Sequence, residues 1–137
     1  MKLLMTKSEL EVFLRREFPQ SANVLQIVSV DAGRLRTSMA VGWEHTRPGG
    51  TVSGPAMFFL ADVSVYLTVL AVSGPIASAV TTNCSIDFMR RPSSESLLAE
   101  TRLLKLGRRI AVADAMIYSD WQGDPVARAS LSYALPP

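Results

Sequence analysis

Asp62 stands inside residues 53–70, SGPAMFFLADVSVYLTVL, where nearly every neighbour is apolar. A carboxylate in such a setting is costly to desolvate unless hydrogen bonds or a countercharge stabilise it. The residues alone leave two explanations open: an acid satisfied by backbone, hydroxyl or arginine partners, or an acid kept for chemistry. Eight positions earlier Gly54 lies between Ser53 and Pro55. Serine favours the cap of a helix and proline its first turn, so Gly54 is expected at a helix N-terminus. Unpaired N–H groups and the helix dipole favour negative charge there, and a glycine lets a ligand approach the backbone closely. Such an amide can stabilise an anion, and such an acid can serve as base or nucleophile.

The other reactive side chains are weaker candidates. Ser53 is better suited to capping than to attack, because a nucleophile elbow needs glycines where Thr51 and Pro55 stand. His45, the only histidine, opens the loop HTRPGGTVSGP and could brace it or line a site; a Ser-His-Asp triad around it is disfavoured. Cys84, the only cysteine, lies within an alternating segment and reads as a packed thiol that cannot form an internal disulfide. One histidine and one cysteine, without paired acids at ligand spacing, do not make a metal site, and no lysine follows the glycines as in a phosphate-binding Walker loop. No bound cofactor is expected.

These residues must be held by the elements around them. Thr6 with Glu9, and Ser8 with Glu11, are possible capping boxes for a short amphipathic helix carrying Leu10, Phe13 and Leu14 and ending by Phe18-Pro19. Residues 24–30 and 34–43 alternate as two strands, or one kinked strand, about a DAG turn. The apolar stretch from about 55 to 72 predicts a long helix covered on most sides, stopping at Ser73-Gly74-Pro75. Four strand-length segments follow: AVTTNCSIDFM, LLAETRLLKLG, RIAVADAMIYSD and DPVARASLSYAL. Short turns between them predict an antiparallel meander or near neighbours. A curved antiparallel sheet wrapped around one long hydrophobic helix accommodates all of this, with a short helix at the N-terminus. That α+β arrangement is the hot-dog fold.

At 137 residues the chain is expected to form one domain, 1–137, with no internal repeat. Its 48% hydrophobic and 19% charged residues predict a compact globule whose surface is partly used in self-association. A net charge of +2 is too small to point to nucleic acid. The stretch 54–73 is long enough to span a bilayer, but Asp62 at its centre would cost about 2.5–3.5 kcal/mol, and basic flanks are lacking, so a core helix and no membrane is the expectation. A cytoplasmic location is expected from the single cysteine and from an N-terminal segment whose charges interrupt any signal-like apolar core.

The segment RPGGTVSGPAMFFLAD resembles the Gly-x-x-His-Gly-Gly loop and following Leu-Ala-Asp of the hot-dog acyl-coenzyme A thioesterases of the phenylacetate-pathway (PaaI-like) type. AVTTNCSIDFMRRP is similar to that family's strand ending in Phe-Leu-Arg-Pro, and LLKLGRRIAVADAMIYS to its next strand pair, so the resemblance covers roughly residues 40–135. It implies hydrolysis of a small or medium acyl- or aryl-coenzyme A. Asp62 would then be the catalytic carboxylate, Gly54 the backbone oxyanion donor, and Thr81 a hydroxyl that positions water. The chain departs from the family at Ser53-Gly54-Pro55, which stands where many members carry His-Gly-Gly; any role of that histidine is lost or passes to Ser53 or His45.

Seven to eight residues of helix separate Gly54 from Asp62 by roughly 11 Å, too far for both to act on one carbonyl within a subunit. A homodimer with antiparallel core helices is therefore expected, Asp62 of one chain facing Gly54 of the other; a dimer of dimers would extend it. The acyl group would lie between the helices, against some of Met57, Phe58 and Phe59. Arg90, Arg91, Lys105, Arg108 and Arg109 at strand ends are candidates for the phosphates of coenzyme A, with solvated surface as the plainer alternative. An acyl-coenzyme A binding protein without activity and a hot-dog hydratase or dehydratase are the rival expectations; the latter lacks a histidine at motif spacing.

Overall fold

The computed structural model of the chain describes residues 1–93 and 95–137. Thr6 caps helix α1 (Lys7–Glu17) reciprocally: its hydroxyl accepts from the Glu9 N–H, and the Glu9 carboxylate accepts from the Thr6 N–H. Leu10, Phe13 and Leu14 point into the core at the predicted spacing. A four-residue helix α2 (Pro19–Ala22) follows, which the sequence pattern does not announce.

Strands β1 (Leu25–Asp31) and β2 (Arg34–Ala40) form a hairpin, resolving the choice between two strands and one kinked strand. A one-turn 3-10 helix at Trp43–His45 leads into the glycine loop and then into α3 (Gly54–Ser73). Gly74 ends α3 at φ 92° and ψ −178°, a conformation that only glycine adopts readily. Strands β3 (Val80–Phe88), β4 (Ser96–Leu106), β5 (Ile110–Tyr118) and β6 (Ala127–Ala134) complete one antiparallel sheet in the order β1-β2-β4-β5-β6-β3.

The meander therefore holds for β4, β5 and β6 but not for β3, which lies at the far edge beside β6. The helix crosses the concave face of the sheet before β3 begins, so the chain emerges at the edge opposite β2. The connection after β3 then returns to place β4 against β2. The result is the hot-dog fold, with β1 and β3 as its edges.

Leu60, Leu67, Leu70, Val65 and Val69 of α3 are completely or almost completely buried, as are Leu35, Met39, Leu97, Ile117 and Leu131 of the sheet. Each of these larger side chains contributes about 1.5–3 kcal/mol through removal from water. Ala113, Ala115, Ala127 and Ala129 face inward on β5 and β6, small enough to let the helix sit close to the strands. Although α3 meets the length and hydropathy of a bilayer span, 78% of its most apolar window is buried within the fold, which makes it a core helix.

Four hydroxyls interrupt this apolar interface. Thr37 of β2 and Ser64 of α3 share a hydrogen bond of 2.7 Å, and Thr68 donates to the Ser64 carbonyl at 2.8 Å and meets Thr101 of β4. All four side chains are sealed from solvent. Paired in this way they fix the register of α3 against the sheet without leaving an unsatisfied group.

Candidate active site

The N-terminal half of α3 has one stripe that its own sheet does not cover. Pro55 and Phe58 are exposed, Phe59 and Asp62 half-buried, and these positions recur at helical spacing on one side. Beyond Asp62 the helix is buried up to Val72. The cover predicted on most sides is thus open along this one stripe over the first two turns, where it faces the side of edge strand β3. Met57, one of three residues expected against an acyl group, turns into the core at 4% exposure, while Phe58 remains 39% exposed.

Asp62 is held through one oxygen. Its Oδ1 accepts from the Thr81 hydroxyl at 2.5 Å and from the Tyr133 hydroxyl at 2.7 Å. The Tyr133 oxygen also lies 2.9 Å from the backbone carbonyl of Asp62. Among the described residues Oδ2 has no hydrogen-bond partner, and no lysine or arginine forms an ion pair with the carboxylate. Asp62, Thr81 and Tyr133 together line a cavity of about 680 Å³, walled further by Val63, Tyr66 and Phe18. An acid fixed on one side and open on the other is equipped to react through its free oxygen.

Sheet register explains why two hydroxyls meet at one atom. Thr81 and Tyr133 are direct partners across β3 and β6. A bulge between Thr81 and Asn83 then shifts the pairing, a device that commonly re-aims a side chain beside a functional site. Burial, followed by the Asp62 charge, pushes the Tyr133 hydroxyl far above its ordinary pKa, so it stays protonated and remains a donor. The Thr81 proton is committed to Asp62 as well, so Thr81 can meet a water only by accepting from it.

Gly54 occupies the first position of α3, and Ser53 is its cap: the Ser53 hydroxyl accepts from the Ala56 N–H at 3.2 Å. The Gly54 N–H finds no protein acceptor among the described residues. A Cβ at this position would lie 3.1 Å from Cζ of Phe88, so the glycine lets that ring close over the helix start. The loop before it is braced by the pairing of Thr46 with Val52 and by the Ser53 N–H donating to the His45 carbonyl at 2.7 Å. His45 Nδ1 accepts from the Gly42 N–H at 2.8 Å, which places its proton on Nε2 and makes its 3.7 Å approach to Glu44 no ion pair at that nitrogen. Bracing is what the His45 ring visibly does.

Gly54 and Asp62 lie toward opposite ends of the sheet: Gly54 beside Phe88 at the end of β3, Asp62 beside Thr81 at its start. The basic residues divide in the same way. Arg90 and Arg91 follow β3 at the Gly54 end, Arg90 donating to the Pro125 carbonyl at 2.7 Å. Lys105, Arg108 and Arg109 surround the β4–β5 turn at the Asp62 end, where Ile110 pairs with Ala134 and the Arg109 carbonyl accepts from the Leu135 N–H. They are not one cluster within a subunit. Cys84 lies half-buried on β3, and burial, then the nearby Asp62 charge, pushes its thiol pKa up and keeps it neutral.

Tyr133 was missed by reasoning from the sequence, where it is one residue of the strand-length segment DPVARASLSYAL. A usable signal existed: a buried tyrosine needs a partner for its hydroxyl, and the one unexplained acid was Asp62.

Comparison with known proteins identifies the family and the fold. The family model of the thioesterase superfamily matches residues 49–125, which include Gly54, Asp62 and Thr81. The putative thioesterase of Silicibacter sp. TM1040 is 46% identical, covers 100% of this chain and 96% of its own, and superposes with a TM-score of 0.90. A hypothetical thioesterase of Streptococcus pneumoniae, solved with coenzyme A, is 19% identical, with coverages of 93% and 96% and a TM-score of 0.79. A putative thioesterase of Ralstonia eutropha, described as a phenylacetic acid degradation-related protein, is 23% identical, with coverages of 90% and 98% and a TM-score of 0.79. At those lower identities the likeness establishes the fold alone. No curated protein matches the sequence.

Proposed function

This chain belongs to the thioesterase superfamily and is a thioester hydrolase; we propose that its substrates are acyl-coenzyme A thioesters and that Asp62 carries the chemistry. The observation behind the proposal is the half-buried carboxylate of the core helix, with Oδ1 tied to two hydroxyls and Oδ2 open to a cavity. The coenzyme A bound by the Streptococcus relative supports that choice of thiol carrier.

In the proposed mechanism the Gly54 N–H, at the positive end of the helix dipole, donates to the thioester carbonyl and stabilises the oxyanion that develops on attack. Asp62 either attacks the carbonyl carbon, giving a mixed anhydride that water then hydrolyses to the free acid, or removes a proton from the attacking water. Coenzyme A leaves as the thiolate. Thr81 accepts a hydrogen bond from that water while its own proton stays with Asp62.

The distance between Gly54 and Asp62 along α3 requires two subunits, as inferred from the helix rise. Edge strand β3, with Val80 55% and Phe88 51% exposed, and the uncovered Phe58 beside it are surfaces that a second copy would cover. An antiparallel arrangement with Asp62 against the partner subunit's Gly54 brings opposite sheet ends together. Lys105 and Arg108 then share one end with Arg90 and Arg91 of the partner subunit, so the phosphates of coenzyme A would be held from both chains.

The test is a panel of aliphatic and aromatic acyl-coenzyme A substrates followed by thiol trapping, with Asp62→Asn as comparison. The proposal expects thiol release that Asp62→Asn abolishes. Retention of acyl-coenzyme A without thiol release would make the protein a binding module instead, and undiminished turnover by the variant would remove Asp62 from the mechanism.

A further inference from the structure

Tyr133 has an environment that packing alone does not require. Its ring is 3% exposed and stacks on Tyr66, with centroids 6.1 Å apart and planes at 29°. Tyr66 is itself pinned, its hydroxyl donating to the Ala77 carbonyl at 3.1 Å and its ring tilted against Phe13 of α1 at 6.4 Å. Tyr66 follows Asp62 by one helical turn and so stands on the same face of α3. The Tyr133 ring thus has little freedom to turn, and its hydroxyl is delivered to Oδ1 of Asp62 at 2.7 Å. Thr81, its direct partner across the strands, reaches the same oxygen at 2.5 Å.

We infer that Tyr133 is a positioning residue for hydrolysis: with Thr81 it clamps Oδ1 of Asp62 from two strands and so presents Oδ2 to the cavity as the reacting oxygen. The inference rests on the proposed role of Asp62. A carboxylate free to rotate about its last torsion spends much of its time with neither oxygen aimed at the substrate, because that torsion is broad and intrinsically weakly restrained. Two donors on one oxygen remove that freedom before substrate arrives, and productive orientation raises the rate of the chemical step more than it raises affinity. The two hydroxyls also distinguish the carboxylate oxygens chemically, since only Oδ2 keeps all its lone pairs for a proton or a carbonyl carbon.

Tyr133→Phe removes the hydroxyl and keeps the ring on Tyr66. Its expected effect is a fall in kcat of about tenfold with KM within twofold. Thr37→Val is the control: it removes a hydroxyl of the sealed network and is expected to lower thermal stability while leaving kcat within twofold. A purely structural Tyr133 would behave like Thr37, with stability lost and kcat kept, and that result would overturn the inference. Should Tyr133→Phe fail to fold, Thr81→Val tests the clamp from the opposite strand by the same split, and Thr81→Ser, which restores a hydroxyl, is expected to recover the rate. Unchanged kcat in Thr81→Val would then overturn the clamp. Asp62→Asn separates the two levels: if it stays active the proposed role of Asp62 fails, whereas an inactive Asp62→Asn beside a fully active Tyr133→Phe sinks the clamp alone.

Discussion

Two polar clusters sit two residues apart on the same helix. Ser64 and Thr68 meet Thr37 and Thr101 of β2 and β4, and every one of the four side chains is sealed from water. Asp62 meets Thr81 and Tyr133 of β3 and β6, remains half-buried, and opens onto a cavity. Both clusters are built from strand hydroxyls reaching a helix side chain. In the first, neutral hydroxyls satisfy one another and nothing is left over. In the second, the acceptor is an acid with a second oxygen to spare, placed where the sheet ends at its edge strand. The difference teaches that pairing alone does not mark a site; an unspent polar atom beside open space does.

The largest effect should come from removing the charge that separates the clusters. Asp62→Asn keeps an oxygen for Thr81 and Tyr133, so circular dichroism and the thermal midpoint should stay near those of the parent chain while kcat falls by about 10²–10⁴. Equal losses of stability and activity would erase the distinction between the clusters. Phe58→Asp attacks the open side of the helix without touching either cluster. A charge in the uncovered stripe should shift the protein to monomers by light scattering and lower kcat at least about tenfold, since the cost of burying an unpaired charge exceeds what the interface can absorb. A monomeric variant with full activity would place the whole site within one subunit.

The smallest effect is expected in the sealed cluster. Thr37→Val leaves the Ser64 hydroxyl without its partner, which costs about 1–3 kcal/mol by denaturant titration, with turnover unchanged. A drop in kcat there would mean that helix register, and not the Asp62 clamp, controls the chemistry.

Much of the architecture was legible in the sequence because its determinants are local. The capping box of Thr6 and Glu9, the long and mostly apolar run of α3, Ser53 before Gly54-Pro55, and the strand-length segments of β4 to β6 each act within a few residues. The order of the sheet was not legible, because β3 reaches its place beside β6 through a crossing that depends on where α3 lies in space. The uncovered stripe was hidden for a related reason: Pro55, Phe58 and Phe59 are as apolar as the buried residues around them, and only the reach of the sheet distinguishes the two groups. Asp62 stood out as a lone charge, whereas Tyr133 did not, since its proximity is created by strand pairing between Thr81 and Tyr133, far apart in the chain.

The central claim is a site shared between subunits, and mixed dimers test it most directly. Gly54→Pro removes the proposed oxyanion donor; the extended backbone of Ser53, at φ −77° and ψ 156°, accepts a following proline, and the Phe88 ring, 3.1 Å from the added Cβ, has to give way slightly. Each of Gly54→Pro and Asp62→Asn should be inactive as a homodimer. After subunit exchange the hybrid holds one site with both defects and one with neither, so an equimolar mixture should recover about a quarter of parental thioesterase activity if subunits pair at random. A mixture that remains inactive, although isotope labelling of one variant and native mass spectrometry prove that hybrids have formed, would contradict the account.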